Sequence, residues 1–291
     1  MIRHPRSLIV HVALLPMALT SLAGYVGMTL WSLRISFTSS RTFPVDDFAG
    51  FTQYARLLTN DRWLLSLQNL ALYGVLFIVA CLAIGFVLAA LIDRQVRIES
   101  ALRTAFLYPY AMSFIATGVV WQWILNPSFG LQEVVRRLGF TEFQFDWIVD
   151  PDKVMYAIVI ATVWQFSGLV MVILLAGMRG IDPDIWKATR LDGIPTWRVY
   201  FSIVPPMLSH QLATAAILLL SAVIKLFDAV VAMTQGGPGT ASEVPAKFIM
   251  DHLFGRANIA LASAASIVLL LTVLVLLTPF LYLRSRAPGA R

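Results

Sequence analysis

Six long apolar stretches interrupt the chain, and most of its charged residues fall in the gaps between them. The stretches run from about Leu8 to Leu33, Leu64 to Ile92, Ala101 to Leu125, Val154 to Met178, Leu208 to Met233 and Ile259 to Leu283. A hydrocarbon core of about 30 Å takes about 20 apolar residues to cross as a helix. A helix also closes its own backbone hydrogen bonds where lipid offers no partner. The pattern therefore predicts an all-α membrane protein with six transmembrane helices, organised as one membrane domain over residues 1–291. Tyr108-Pro109-Tyr110 lies in the third stretch, where proline predicts a local bend. No internal repeat is visible, which argues against the inverted-repeat design of many secondary carriers.

The gaps orient the spans. An even number of crossings puts both termini on one side. That side carries twelve basic residues: Arg3, Arg6, Arg94, Arg97, Arg103, Arg179, Lys187, Arg190, Arg198, Arg284, Arg286 and Arg291. It carries five acids, whereas the other side has nine basic residues and ten acids in longer loops. The positive-inside rule then predicts cytoplasmic termini. Arg3, Arg6, an apolar run and Ser21-Leu22-Ala23 have the outline of a secretory signal. The run continues to about Trp31, however, long enough to span a bilayer. Trp31, Trp63, Trp121, Trp123 and Trp147 fall near the outer ends of spans, where amphipathic rings anchor.

Composition narrows the chemistry. With 58% hydrophobic and 13% charged residues and a mean hydropathy of +0.77, the chain belongs in a bilayer. Its net charge of +6 comes from scattered residues and not from a block of five or more, so nucleic acid is not an expected partner. The single cysteine, Cys81, gives no disulfide framework. His4, His11, His210 and His252 are too dispersed for a metal site. No Walker A loop and no nucleophile–base pair is present, so transport energy would have to come from another polypeptide.

One cytoplasmic segment stands out, between the fourth and fifth spans. Asp182 can cap a helix whose first residue is Pro183, and Asp184 suits its positive end. That helix carries Trp186, Lys187 and Ala188 and ends at Asp192-Gly193. Pro195 opens a second helix with Trp197, Val199, Tyr200 and Ile203, which Pro205-Pro206 is expected to stop. The result is either a compact knob that a partner can grip or a solvated amphipathic loop.

The fifth stretch ends in KLFDAVVAMTQGGPG, Lys225 to Gly239. Lys225 and Asp228 are three apart, on one face of a continuous helix and within reach of each other. A charge deep in a span costs about 2.5–3.5 kcal/mol on insertion scales, so such residues normally face a cavity or the bundle interior. Two readings are open: a pair that fixes helix packing, or a site that meets a hydroxyl-rich solute. Gly236-Gly237-Pro238-Gly239 lacks a following Gly-Lys-Ser/Thr and reads as a turn into an outer loop through Ala246 to Phe254, not as a phosphate cradle.

Ala188, Asp192-Gly193, Ile203 and Pro206 resemble, in type and spacing, the cytoplasmic EAA loop of permease subunits of binding-protein-dependent ABC importers. Lys187 stands where that motif has glutamate, and Thr189 where it has alanine. Phe227, Asp228, Thr234, Gly236, Gly237 and Pro238 resemble a signature of the maltose-type carbohydrate-uptake permeases. The resemblance implies a type I importer permease of six helices in a bacterial cytoplasmic membrane, with a coupling loop over residues 181–206. It implies ATPase coupling through Trp186, Lys187, Ala188, Asp192, Gly193, Ile203 and Pro206, and sugar contact by Lys225, Phe227 and Asp228. The implied partners are a second permease, an ABC ATPase dimer that uses the ATP, an extracytoplasmic sugar-binding protein, and a sugar of the glucose, mannose or α-glucoside class. A permease for a non-sugar solute and a secondary carrier are the alternatives.

Overall fold

A computed structural model of the chain describes residues 6–94 and 97–286. Arg3, His4 and Arg291 lie outside the described residues. The described residues are helical, with no strand and one isolated bridge between Thr38 and Phe48. In chain order the helices are α1 (Arg6–Ser21), α2 (Met28–Ser36), α3 (Thr52–Leu58), α4 (Asp61–Asp93), α5 (Glu99–Ala111), α6 (Phe114–Ile124), α7 (Leu131–Arg137) and α8 (Val154–Arg179). They continue as α9 (Pro183–Leu191), α10 (Thr196–Arg198), α11 (Val204–Met207), α12 (Ser209–Ile224), α13 (Asp228–Met233), α14 (Pro245–Met250) and α15 (Ile259–Arg286). Wide π turns occupy Leu22–Gly27, Val199–Ile203 and Asp251–Gly255.

Three segments are long and apolar enough to cross a membrane: Ala13–Ser36, Asp61–Asp93 and Val154–Arg179. Two bent pairs pass the same test when each is taken together, α5 with α6 at 99° and the helical run Thr196–Met207 with α12 at 74°; α15 contributes a shorter apolar helix, Ile259–Val275. The third expected span is thus a break and not a gentle bend. Pro109 stays inside α5, and the chain turns three residues later, where Met112 and Ser113 are extended at ψ 150° and 143°. Ser113 then caps α6, its Oγ accepting the Ala116 N–H at 3.1 Å. The fifth span breaks as well, because α12 ends at Ile224 and α13 starts at Asp228.

The chain divides into two compact units, residues 1–64 with 248–291 and residues 65–247. In the first, α15 packs against α2 and α3, and its Ala260, Ala262, Ala264 and Ala265 are buried, small side chains of the kind that let helices approach closely without a water-driven hydrophobic force. Trp63 is fully buried there against Phe248, with ring centroids 5.3 Å apart, and is a packing residue and not an interface anchor. Trp31 and Trp123 are exposed, as anchors require. His252 stacks on Phe248 at 4.0 Å, and burial holds its imidazole below the ordinary value.

The second unit is built around α8, which is buried on most faces from Val154 to Met178. Gly168 of α8 comes so close to α5 that an added Cβ would overlap the Phe106 carbonyl. Gly168→Ala should therefore lower stability by about 1–3 kcal/mol, the range for overpacking a filled interior. Thermal unfolding of the purified protein in detergent checks this, with Gly255→Ala, exposed and with open space around its Cβ position, serving as a control for loss of a surface glycine.

Candidate functional site

Both breaks open onto the same cavity. It measures about 280 Å³, and its lining comes from α4, α5, α6, α8, α12 and the start of α13. Phe166 of α8 is the centre of its aromatic wall. Tyr110 and Phe77 meet it edge-on at 5.4 and 5.2 Å, Phe114 stacks on it at 5.8 Å, and Tyr73 stacks on Phe77 at 5.1 Å. Thr162 and Ser221 bring hydroxyls, each of which also donates to a carbonyl of its own helix.

Lys225, Phe227 and Asp228 complete the lining. The continuous-helix argument for pairing the two charges fails, because Lys225 to Phe227 are not helical and Phe227 sits at φ −141°. Among the described residues no ion pair joins Lys225 to Asp228. Non-helical backbone at membrane depth is tolerated where it lines a cavity, and that is where this break sits.

The segment over residues 181–206 forms largely as its residue types demand. The Asp182 carboxylate accepts the Asp184 N–H at 2.9 Å, Pro183 is the first helical residue, and Gly193 takes φ +64° after α9. Lys187 turns back onto Asp184, with Nζ 2.7 Å from Oδ1. The prolines do not end the next helix. From Thr196 the chain stays helical to Met207, with Pro205 and Pro206 inside it, and it bends only at Leu208. The π turn explains the difference: the Val204 N–H bonds five residues back to Val199, which accommodates a stretch whose next two residues have no N–H to give.

Trp186 meets Tyr200 at 5.6 Å, and the Tyr200 hydroxyl donates to Asp93 Oδ2 at 2.8 Å. Arg179 and Arg103 share the Glu99 carboxylate at 2.6 and 2.8 Å. A cavity of about 850 Å³ lies between α9 and the ends of α4 and α8. One flank of the segment is fastened to the bundle, while Lys187, Ala188, Asp192, Gly193 and Pro206 are exposed and Ile203 is half-buried.

After α13, Gln235, Gly236 and Gly239 all take positive φ, and Thr234 and Ser242 share a 2.7 Å hydrogen bond that closes the turn. The stretch from Ala246 to Phe254, expected as loop, is helical through α14 and the π turn after it. Asp150, in the segment ahead of α8, is half-buried and ion-paired. Lys153 bonds it at 2.6 Å and holds its carboxyl below the usual range.

Residues 81–286 match the family of binding-protein-dependent transport system inner membrane components. The chain belongs to that family. It is 38% identical over 255 residues to a probable ABC transporter permease protein of Pyrococcus horikoshii, covering 87% of each chain. It is 32% identical over 279 residues to the xylose/arabinose import permease protein of Haloferax volcanii, covering 94% of this chain and 87% of that one. The fold matches a bacterial alginate ABC transporter solved in complex with an alginate pentasaccharide-bound periplasmic protein. That match has a TM-score of 0.83 at 17% identity and covers 98% of this chain and 96% of that one.

This ABC importer permease for sugars or related solutes therefore carries both features its sequence marked, a segment between α8 and α12 and charged residues beyond α12, the latter on a break where a continuous helix was expected. Sequence reasoning missed Tyr73, Tyr110, Phe114, Thr162, Phe166 and Ser221 as cavity residues. Each is an ordinary span residue by its neighbours and gains its role only when distant elements meet. Ser113, a capping residue in the middle of an apolar run, was the available sign of the first break. Tyr200→Phe should cost about 1.5–3 kcal/mol, the range for a hydrogen bond to a charged group. Thermal unfolding compared in a double-mutant cycle with Asp93→Asn checks it.

Proposed function

We propose that this permease is one of two related membrane subunits of an ATP-driven importer that carries a sugar of the glucose, mannose or α-glucoside class. In this reading the chain crosses the membrane six times with both termini in the cytoplasm, and it has no ATPase site of its own. An extracytoplasmic binding protein delivers the sugar, and a cytoplasmic ATPase dimer grips the segment 181–206.

The observation that carries the proposal is the joint placement of Lys225, Phe227 and Asp228 with an aromatic wall and two hydroxyls around one cavity. Apolar rings with a few convergent polar groups suit a ligand that has a C–H face and a hydroxyl rim. Lys225 can donate to sugar oxygens, Asp228 can accept from sugar hydroxyls, and the rings can cover the apolar face of a pyranose.

The segment supplies the coupling. Its inner flank is tied through Trp186, Tyr200 and Asp93, so a push on Lys187, Ala188, Asp192 or Gly193 is transmitted to α4 and α8. ATPase closure moves the knob, the knob moves the helix ends, and the cavity changes the side to which it opens.

Asp228→Asn should raise the KM for sugar uptake roughly tenfold or more, from the loss of a charge-assisted hydrogen bond of about 1.5–3 kcal/mol. Uptake by proteoliposomes holding the assembled importer, with its binding protein added, measures this. A defect confined to assembly would instead support a packing role. Gly193→Val places a β-branched side chain at φ +64°. Uptake should fall sharply while membrane insertion is retained; unchanged ATP-linked uptake would count against the docking role.

A further inference from the structure

Glycines at three helix contacts sort the broken spans of the second unit into two groups. The halves before the breaks, α5 and α12, are seated on α8. An added Cβ at Gly168 would overlap the Phe106 carbonyl of α5, and one at Gly177 would meet Gln211 Cγ of α12 at 2.6 Å. The halves after the breaks, α6 and α13, are seated on each other. A Cβ added at Gly118 of α6 would meet the Ala232 Cβ of α13 at 2.5 Å, and the two helices pack along their length; toward α8 they present the Phe114–Phe166 and Trp121–Trp164 ring contacts, at 5.8 Å each.

The breaks are the joints between these groups. At the first, Met112 and Ser113 are extended, so the Met112 carbonyl has no helical partner four residues on. Gln165 of α8 supplies one, its Nε2 donating at 3.0 Å. Gln165 is 1% exposed, and its Oε1 is buried with no partner. A buried amide satisfied at one end carries an uncompensated desolvation cost. Such a cost is tolerable in one of two alternating arrangements and wasteful in a permanent one. At the second joint, Lys225 to Phe227 leave the helix altogether.

The cavity lining is divided along the same line. Phe114, Asp228 and Ala229 belong to the half-spans after the breaks, whereas Tyr73, Thr162, Phe166 and Ser221 belong to α4, α8 and α12. Relative movement of the groups therefore reshapes the cavity.

We infer that α6 and α13 form one outer lobe that swings about Met112–Ser113 and Lys225–Phe227 to admit the solute, and that Gln165 is the positioning residue that holds the lobe as seen here. The inference rests on the cavity being the solute's site, but the movement itself is measurable without solute.

The test uses the complete importer in proteoliposomes, with Cys81→Ser as background and two separate single reporters, Ser221→Cys in the cavity and Asp152→Cys in the exposed segment ahead of α8, on the side from which the reagent is added. A membrane-impermeant methanethiosulfonate reagent is added from outside, with no sugar present. Gln165→Met keeps length and removes the donor. It should raise the labelling rate of the cavity reporter about fivefold, the population shift from one ordinary hydrogen bond, and leave the reporter ahead of α8 unchanged. Ser113→Ala, which removes the cap of α6 at the same joint, should act in the same direction and serves if Gln165→Met does not assemble. Unchanged labelling at the cavity, or an equal rise at both reporters, would overturn the lobe and the role of Gln165. Asp228→Asn uptake reads the sugar site separately, so a failure there leaves the labelling result to stand alone.

Discussion

Inside a bilayer, each backbone N–H and C=O must find a partner within the protein, and the apolar stretches of this permease, among the described residues, meet that demand with helices broken at two points. Both exceptions border the same cavity. At Met112 a side-chain amide replaces the missing helical donor. At Lys225 to Phe227 the non-helical backbone sits beside the charged and hydroxyl groups of the lining. The constraint that favours unbroken helices elsewhere thereby marks the place where the chain departs from them.

That departure organises the packing of the second unit. Its aromatic wall meets at Phe166, which touches rings from α4, α5 and α6 at once. Glycine contacts let α5 and α12 lie against α8 at distances that larger residues would forbid. With little hydrophobic drive between helices in lipid, close van der Waals approach is the main source of adhesion. The positions of a few glycines accordingly decide which helices hold together firmly.

The uniform spans were legible in the sequence. The expected 154–178 matches α8 at Val154–Arg179, and the expected 64–92 lies within α4 at Asp61–Asp93, because apolar composition alone sets their ends. The breaks were harder to read. No glycine or proline separates Leu208 from Met233, so nothing local ends α12 at Ile224; the stop is set by what surrounds Lys225 and Asp228 in the folded bundle. Pro109 marked a span that does bend, though the turn comes three residues later, whereas Pro205-Pro206 misled, tolerated inside a helix that runs on to Met207. At the site, the charged residues announced themselves by their cost in a span. The rings that join them did not, since a tyrosine or phenylalanine costs nothing there until a neighbour gives it a role.

The Glu99 carboxylate is claimed by two guanidiniums, one from its own helix and one from the end of α8. All three side chains are partly open to solvent, within reach of dissolved ions. Electrolyte weakens such a junction while leaving an uncharged ring cluster such as that around Phe166 largely untouched. The foot of α5 and the end of α8 therefore loosen as ionic strength rises, and the aromatic centre stays indifferent to it.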